Sequence, residues 1–113
     1  MSEERLATDL YVSAHIRIAA REGVPITVVR RGDPSSGSLI LKINLLNRTA
    51  RVLIEARYDE NRVWTPATQT DPMPEIDADA YMARQAEVDP DAWLIEIEDR
   101  QGRVWFPGKV VAL

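Results

Sequence analysis

The chain of 113 residues has no cysteine, a single histidine and only five glycines. Without thiols there is no disulfide, thiolate zinc site, iron–sulfur cluster or cysteine nucleophile, and nothing about the fold demands an oxidising compartment. The lone imidazole, His15, is the one base available to a Ser-His-Asp arrangement, yet no G-x-S-x-G elbow surrounds Ser13, Ser35, Ser36 or Ser38. Its bland reading is a helix-edge histidine bonded to backbone or water. The P-loop spacing, the G-x-G-x-x-G fingerprint and the EF-hand loop are all missing. No stretch approaches the roughly 18 apolar residues of a membrane span. The opening MSEERLATDL is acidic and polar where a secretory signal needs a basic tip and an apolar run, so the expected location is the cytosol.

What is present is ordinary globular composition, with 45% apolar and 28% charged residues. That length supports one hydrophobic core, hence one domain over residues 1–113. The net charge of −4 argues against non-specific attraction to nucleic acid or anionic lipid. The charge is divided, however: residues 1–57 hold 9 of the 14 Lys and Arg but 6 of the 18 Asp and Glu. Mutual neutralisation of the two halves on folding is the simplest account.

Residues 9–22, DLYVSAHIRIAARE, carry an apolar stripe at helical spacing, with Thr8 or Asp9 able to cap its start and Gly23 placed to end it. ITVVRR is β-branched and strand-like. GDPSSGS is a turn, and LILKINLL and RVLIEARY alternate as half-buried strands joined by a hairpin. DENR at 59–62 reads as a turn before a short strand at Val63, Trp64 and Thr65. PATQTDPMPE is loop, ADAYMARQAEV is a second helix with Asp77 as its N-cap, and WLIEIED with RVWF completes a hairpin. The expected fold is α+β, with a mainly antiparallel sheet, two helices on one face and an exposed face bearing Lys42, Arg51, Glu55, Arg57, Glu96 and Glu98. Opposite charges on neighbouring strands of that face would favour pairing.

The helix LYVSAHIRIA, the turn RGDPSSG, Trp64 and the stretch from Asp89 through Trp93 to Asp99 resemble an alphaproteobacterial family of similar length, domain-of-unknown-function family 1491. The resemblance spans nearly the whole chain. It implies a single cytosolic bacterial domain and brings no activity, cofactor or catalytic residue with it.

Among candidate sites the RRGDPSSG loop ranks first. Arg30 or Arg31 could clamp a carboxylate or phosphate, with Asp33 and Lys42 nearby, although each residue type there also suits a tight strand connection. The acids Asp89, Asp91, Glu96, Glu98 and Asp99 could offer oxygen ligands to Mg²⁺ or Ca²⁺, but a solvated strand edge is the simpler account. Trp64, Trp93 and Trp105 read as core rather than as a stacking platform; were one of them exposed, it would be Trp64, beside the proline-rich loop. The element order also looks like the core of a PD-(D/E)xK nuclease, with Glu55-Ala56-Arg57 standing in for E-x-K. Arg substitutes poorly for the lysine, and the preceding strand lacks an acid.

The absence of a convergent catalytic set points to a non-enzymatic binding or accessory module with no cofactor or metal. Its expected partner is a protein or a small anionic ligand, with self-association as a homodimer through a sheet edge. A divalent-metal phosphodiesterase or nuclease using Glu55 is the alternative.

Overall fold

The computed structural model of the chain describes residues 7–58 and 61–111. The order is α1 (Thr8–Arg21), β1 (Ile26–Arg30), β2 (Leu39–Asn44), β3 (Thr49–Tyr58), β4 (Asn61–Pro66), β5 (Met73–Pro74), α2 (Glu75–Val88), β6 (Trp93–Glu98) and β7 (Lys109–Val110). The first two residues of the expected DENR turn lie outside the described residues. No described helix is long and apolar enough to cross a membrane.

The strands form one sheet in the order β1-β6-β2-β3-β4-β7, with β5 attached to β3. Pairing is antiparallel between β2 and β3 and between β3 and β4, which are consecutive and closely connected, and also between β1 and β6 and between β3 and β5. Two contacts are parallel: β6 lies beside β2 with Leu41 against Ile95, and β7 lies beside β4. The fold is therefore α+β on a mixed, mostly antiparallel sheet. The edge strand β1 has a bulge between Val28 and Arg30, a device that blunts an edge against further strand pairing.

The helices do not share a face of the sheet. Val12 and Ala19 of α1 pack with Leu39, Leu41, Ile43, Leu53, Trp93, Ile95 and Ile97, whereas Ala78 and Met82 of α2 pack with Ile40, Val52 and Leu94. Successive strand residues point to opposite faces, so these two sets sit on the two sides of one layer. The reason is visible in LILKI and WLIEI, which are apolar in both phases. Strands of that kind need cover above and below. The expected single exposed face is corrected with it. Lys42 is opposite Val52 and Glu96 on the α2 side, while Arg51, Glu55 and Arg57 alternate onto the α1 side of β3.

The helix ends are satisfied by tertiary partners instead of the expected side-chain caps. Neither Ala7 before α1 nor Pro74 before α2 makes a side-chain cap bond. Thr8 and Asp9 donate their N–H groups to the carbonyls of Ser35 and Pro34, and Glu75 donates to Arg48. Gly23, at φ +79°, ends α1 in the left-handed region as the sequence suggests.

RVWF is not a strand, so the terminal hairpin is also corrected. Asp99 is 4% exposed and turns inward rather than standing on a solvated edge. Its carboxylate accepts the Gln101 N–H at 2.9 Å, Arg103 Nε at 2.8 Å and Trp105 Nε1 at 2.8 Å. The loop so gathered holds Trp105 at φ +68° and buries Val104 and Phe106 under α1. Phe106 reaches the rings of Tyr11, His15 and Trp64. Trp64 is fully buried, as its reading as core implies, and donates its indole N–H to the Pro107 carbonyl at 2.9 Å. Val111 extends this strap by bonding the Trp64 carbonyl.

Burial works against charge on Asp99, but the Arg103 bond, the Gln101 N–H and the Trp105 indole outweigh it and hold its pKa down at about 2. A depressed carboxylate pKa contributes stability that is complete above the ordinary value near 3.8 and is lost as pH falls toward 2. Asp99→Asn should therefore cost about 2 kcal/mol at pH 7 in urea unfolding. The difference from the parent protein should shrink between pH 4 and about 2.

Candidate functional site

The RRGDPSSG loop is fixed by its own polar atoms and by the chain entering β6. Asp33 donates its N–H to the Asp91 carbonyl at 2.9 Å, and its own carbonyl accepts the Trp93 indole N–H at 2.8 Å. Its carboxylate accepts the N–H groups of Ser35 and Ser36 and the Ser36 hydroxyl, which lowers its pKa chiefly through Ser36. Gly37 completes the turn by donating to the Asp33 carbonyl. A Cβ on either Gly32 or Gly37 would collide with the Asp91 carbonyl, so both glycines serve close backbone approach. Arg31 is exposed and stacks its guanidinium 4.9 Å from the centre of the Trp93 ring.

Arg30 points the other way and serves α2, whose last turn has no basic residue of its own. It donates to the carbonyls of Ala86 at 2.6 Å, Asp89 at 2.6 Å and Ala92 at 2.5 Å, acting as a C-terminal cap supplied from β1. Lys42 is 4% exposed beneath the same helix, with its ammonium 2.8 Å from Glu75, 2.5 Å from Asp79 and 3.5 Å from Glu96. Asn44 ties Glu75 to Glu96. Arg30 and Lys42 thus line one apolar cavity of about 370 Å³ with Val29, Met82 and Leu94, while Arg31 and Asp33 sit beside Trp93. The four residues do not converge.

A larger cavity, of about 660 Å³, opens between the N-terminal turn of α1, the loop Ser35–Leu39 and the β3–β4 hairpin. Arg57 and Arg62 are direct cross-strand partners and both line it. Like charges so placed oppose pairing by up to about 1 kcal/mol. Arg62 is partly neutralised: Nε lies 2.5 Å from Glu55 Oε2, and its guanidinium stacks 4.2 Å from the Tyr11 ring centre. Arg57 is exposed and forms no ion pair with any described residue. Glu55 also accepts the Leu39 N–H at 2.9 Å, so both of its carboxylate oxygens are engaged. The Tyr11 hydroxyl is buried without a hydrogen-bond partner, and burial raises its pKa against the opposing charge of Arg62. Its carbonyl meets His15 Nδ1 at 2.9 Å, which puts the histidine in its bland, backbone-bonded state. Among the described residues no three His, Asp or Glu side chains are grouped to hold a metal ion.

The sequence pointed to Arg57 only as a lysine substitute, and Arg62 and Tyr11 not at all. The usable signal was the spacing of RYDENR: strands that pair Tyr58 with Asn61 set residue 57 opposite residue 62.

A family model described as "Protein of unknown function (DUF1491)" matches residues 6–107. The chain belongs to the DUF1491 family. Two solved relatives from Caulobacter crescentus CB15 support this. The crystal structure of one DUF1491 family protein is 38% identical, has a TM-score of 0.83 and covers 95% of this chain and 100% of its own. An NMR structure of a DUF1491 family protein is 40% identical with a TM-score of 0.78, over 94% of this chain and 96% of that one. The solution structure of protein Atu0922 from A. tumefaciens shares the fold at 21% identity and a TM-score of 0.68, covering 84% and 86%. No curated protein matches the chain. DUF1491 membership assigns no activity, so any reading of function rests on the cavity.

Two structural roles at these positions are open to direct test. Burial opposes charge on Lys42, but its bonds to Asp79 and Glu75 and the charge of Glu96 prevail, raising its pKa to about 12. A raised lysine pKa contributes stability that is whole below about 10.5 and is lost as pH climbs toward 12. Lys42→Met would leave three carboxylates facing one another. Because they are partly solvated, the loss expected from denaturant unfolding at pH 7 is about 1 to 3 kcal/mol, shrinking above pH 10.5. Gly37→Ala should cost about 3 kcal/mol or more in the same assay, because its neighbour is backbone and cannot swing aside.

Proposed function

We propose that this DUF1491 protein is a non-enzymatic binding module, whose ligand is a small anion held in the cavity between α1, the serine loop and the β3–β4 hairpin. The observation that carries this reading is the pair Arg57 and Arg62, placed opposite each other at the wall of a concave site. A protein gains nothing in stability from that juxtaposition, whereas an anion between the two guanidinium groups relieves it and accepts their hydrogen bonds. Among the described residues, Glu55 offsets one of the two positive charges. The cavity volume lies in the range that encloses small organic ligands.

A binding role is favoured over hydrolysis by the state of Glu55. In the metal-dependent nuclease alternative this carboxylate would take a divalent cation, but here it accepts the Leu39 N–H and is ion-paired with Arg62. The anion-binding reading also moves away from the amides of RRGDPSSG. The N–H groups of Asp33, Ser35, Ser36 and Gly37 already have acceptors, so this loop contributes a wall and side-chain hydroxyls.

Titration of isotope-labelled protein with benzoate and with inorganic phosphate, followed by amide NMR, is the direct check. Saturable shifts at Ser35, Ser38, Ala56 and Arg62 are expected with at least one of the two anions. Arg57→Ala, at an exposed position, should weaken that binding about tenfold through loss of one charged hydrogen-bonding partner, without lowering thermal stability. Shifts confined to other parts of the molecule would overturn the assignment.

A further inference from the structure

Resting on that reading of the cavity, we infer that its ligand is a phosphate monoester with an apolar or aromatic body, rather than a carboxylate or a bare inorganic anion. The selection follows from the sign and number of the polar groups. Arg57 and Arg62 present planar donor sets, and the Ser35 and Ser38 side chains add hydroxyls from the facing loop. The carboxylate on this wall, Glu55, is turned into its bonds with Leu39 and Arg62 and is not free to accept. A wall with two guanidinium donor sets and two hydroxyls, one guanidinium being shared with Glu55, suits a ligand end that is acceptor-only and has three terminal oxygens. That describes a phosphomonoester at neutral pH. A carboxylate has two oxygens, which a single guanidinium already matches.

The size of the site argues for a body beyond the phosphate. At about 660 Å³ the cavity is of the size that encloses a small organic molecule, and a lone ion would leave most of it filled with water. Beside these polar groups, the Tyr11 ring gives the wall an aromatic surface. The Arg62 guanidinium lies over the Tyr11 ring, 4.2 Å from its centre, so the aromatic ring and the charge stand side by side in the wall. The loop opposite is equally rigid. Asp33 locks its turn, and Thr8 donates its hydroxyl to the Gly37 carbonyl at 3.2 Å, fixing the loop to α1. A site whose walls are ordered before the ligand arrives loses less entropy on binding.

Isothermal calorimetry with phenyl phosphate, benzoate and inorganic phosphate on the full chain tests this. The variants are Arg57→Ala and, because Arg62 is packed against Tyr11, the milder Arg62→Lys, with thermal melts to confirm folding. Phenyl phosphate should bind at least tenfold more tightly than either other anion, and each variant should weaken it about tenfold. Lysine at position 62 supplies a point charge in place of the bidentate fork, so retention of full affinity by Arg62→Lys would count against the inference. If benzoate matches phenyl phosphate, the phosphate selection fails while the anion-binding reading of the cavity survives. If inorganic phosphate matches it, the apolar body is overturned. If none of the three binds, the inference and the reading beneath it fall together.

Discussion

The parallel pairing of β6 with β2 is the constraint on which the rest of the structure depends. By entering between β1 and β2, β6 becomes a central strand, with Ile95 and Ile97 packed on the α1 side and Leu94 on the α2 side. A strand in that position needs apolar cover on both faces, and the two helices divide the work. The same insertion brings the β1–β2 loop against residues 91–93, where Asp33 and the two close-packed glycines meet the incoming chain.

Polar groups in this molecule serve mainly to fasten elements that packing alone would leave loose. Arg30 reaches from β1 to the carbonyls at the end of α2, and Lys42 reaches from β2 to acids at the start of that helix and on β6. Arg51 holds Asp71 through two parallel bonds of 3.1 and 2.9 Å and so fastens the proline-rich connection to β3. Asp99 does the same for the segment that carries Phe106 into the α1 core. Each is a charged group held by at least two hydrogen bonds or ion pairs, the arrangement in which burial of charge is offset. Arg57 departs from this rule, being exposed opposite Arg62 without an ion pair to any described residue.

Elements with a clear period were legible in the residues. LYVSAHIRIAAR is helical and Gly23 stops it, ADAYMARQAEV is helical, and LILKIN, RVLIEARY and WLIEIE are strands, because side-chain period and turn chemistry are local. RVWF misled for a physical reason. Its β-like composition reflects burial of Val104 and Phe106, while the Asp99 carboxylate and the positive φ at Trp105 hold the backbone out of any ladder. Helix caps were misread for a related reason: Thr8 and Asp77 have capping chemistry, but carbonyls from distant loops satisfied the helix starts first.

By itself the sequence determined the class of fold and the family, since these follow from period, composition and local resemblance. Only the tertiary structure decided which strands are neighbours, on which face each helix lies and what the charged residues touch. Arg30 and Arg31 are adjacent in the chain, yet one caps a helix end and the other stacks on Trp93. Arg57 and Arg62 are five apart and face each other across a hairpin. The reason is that side-chain period is fixed within a segment, whereas the partners of a charge are fixed by strand order, and strand order is a property of the whole chain packing at once.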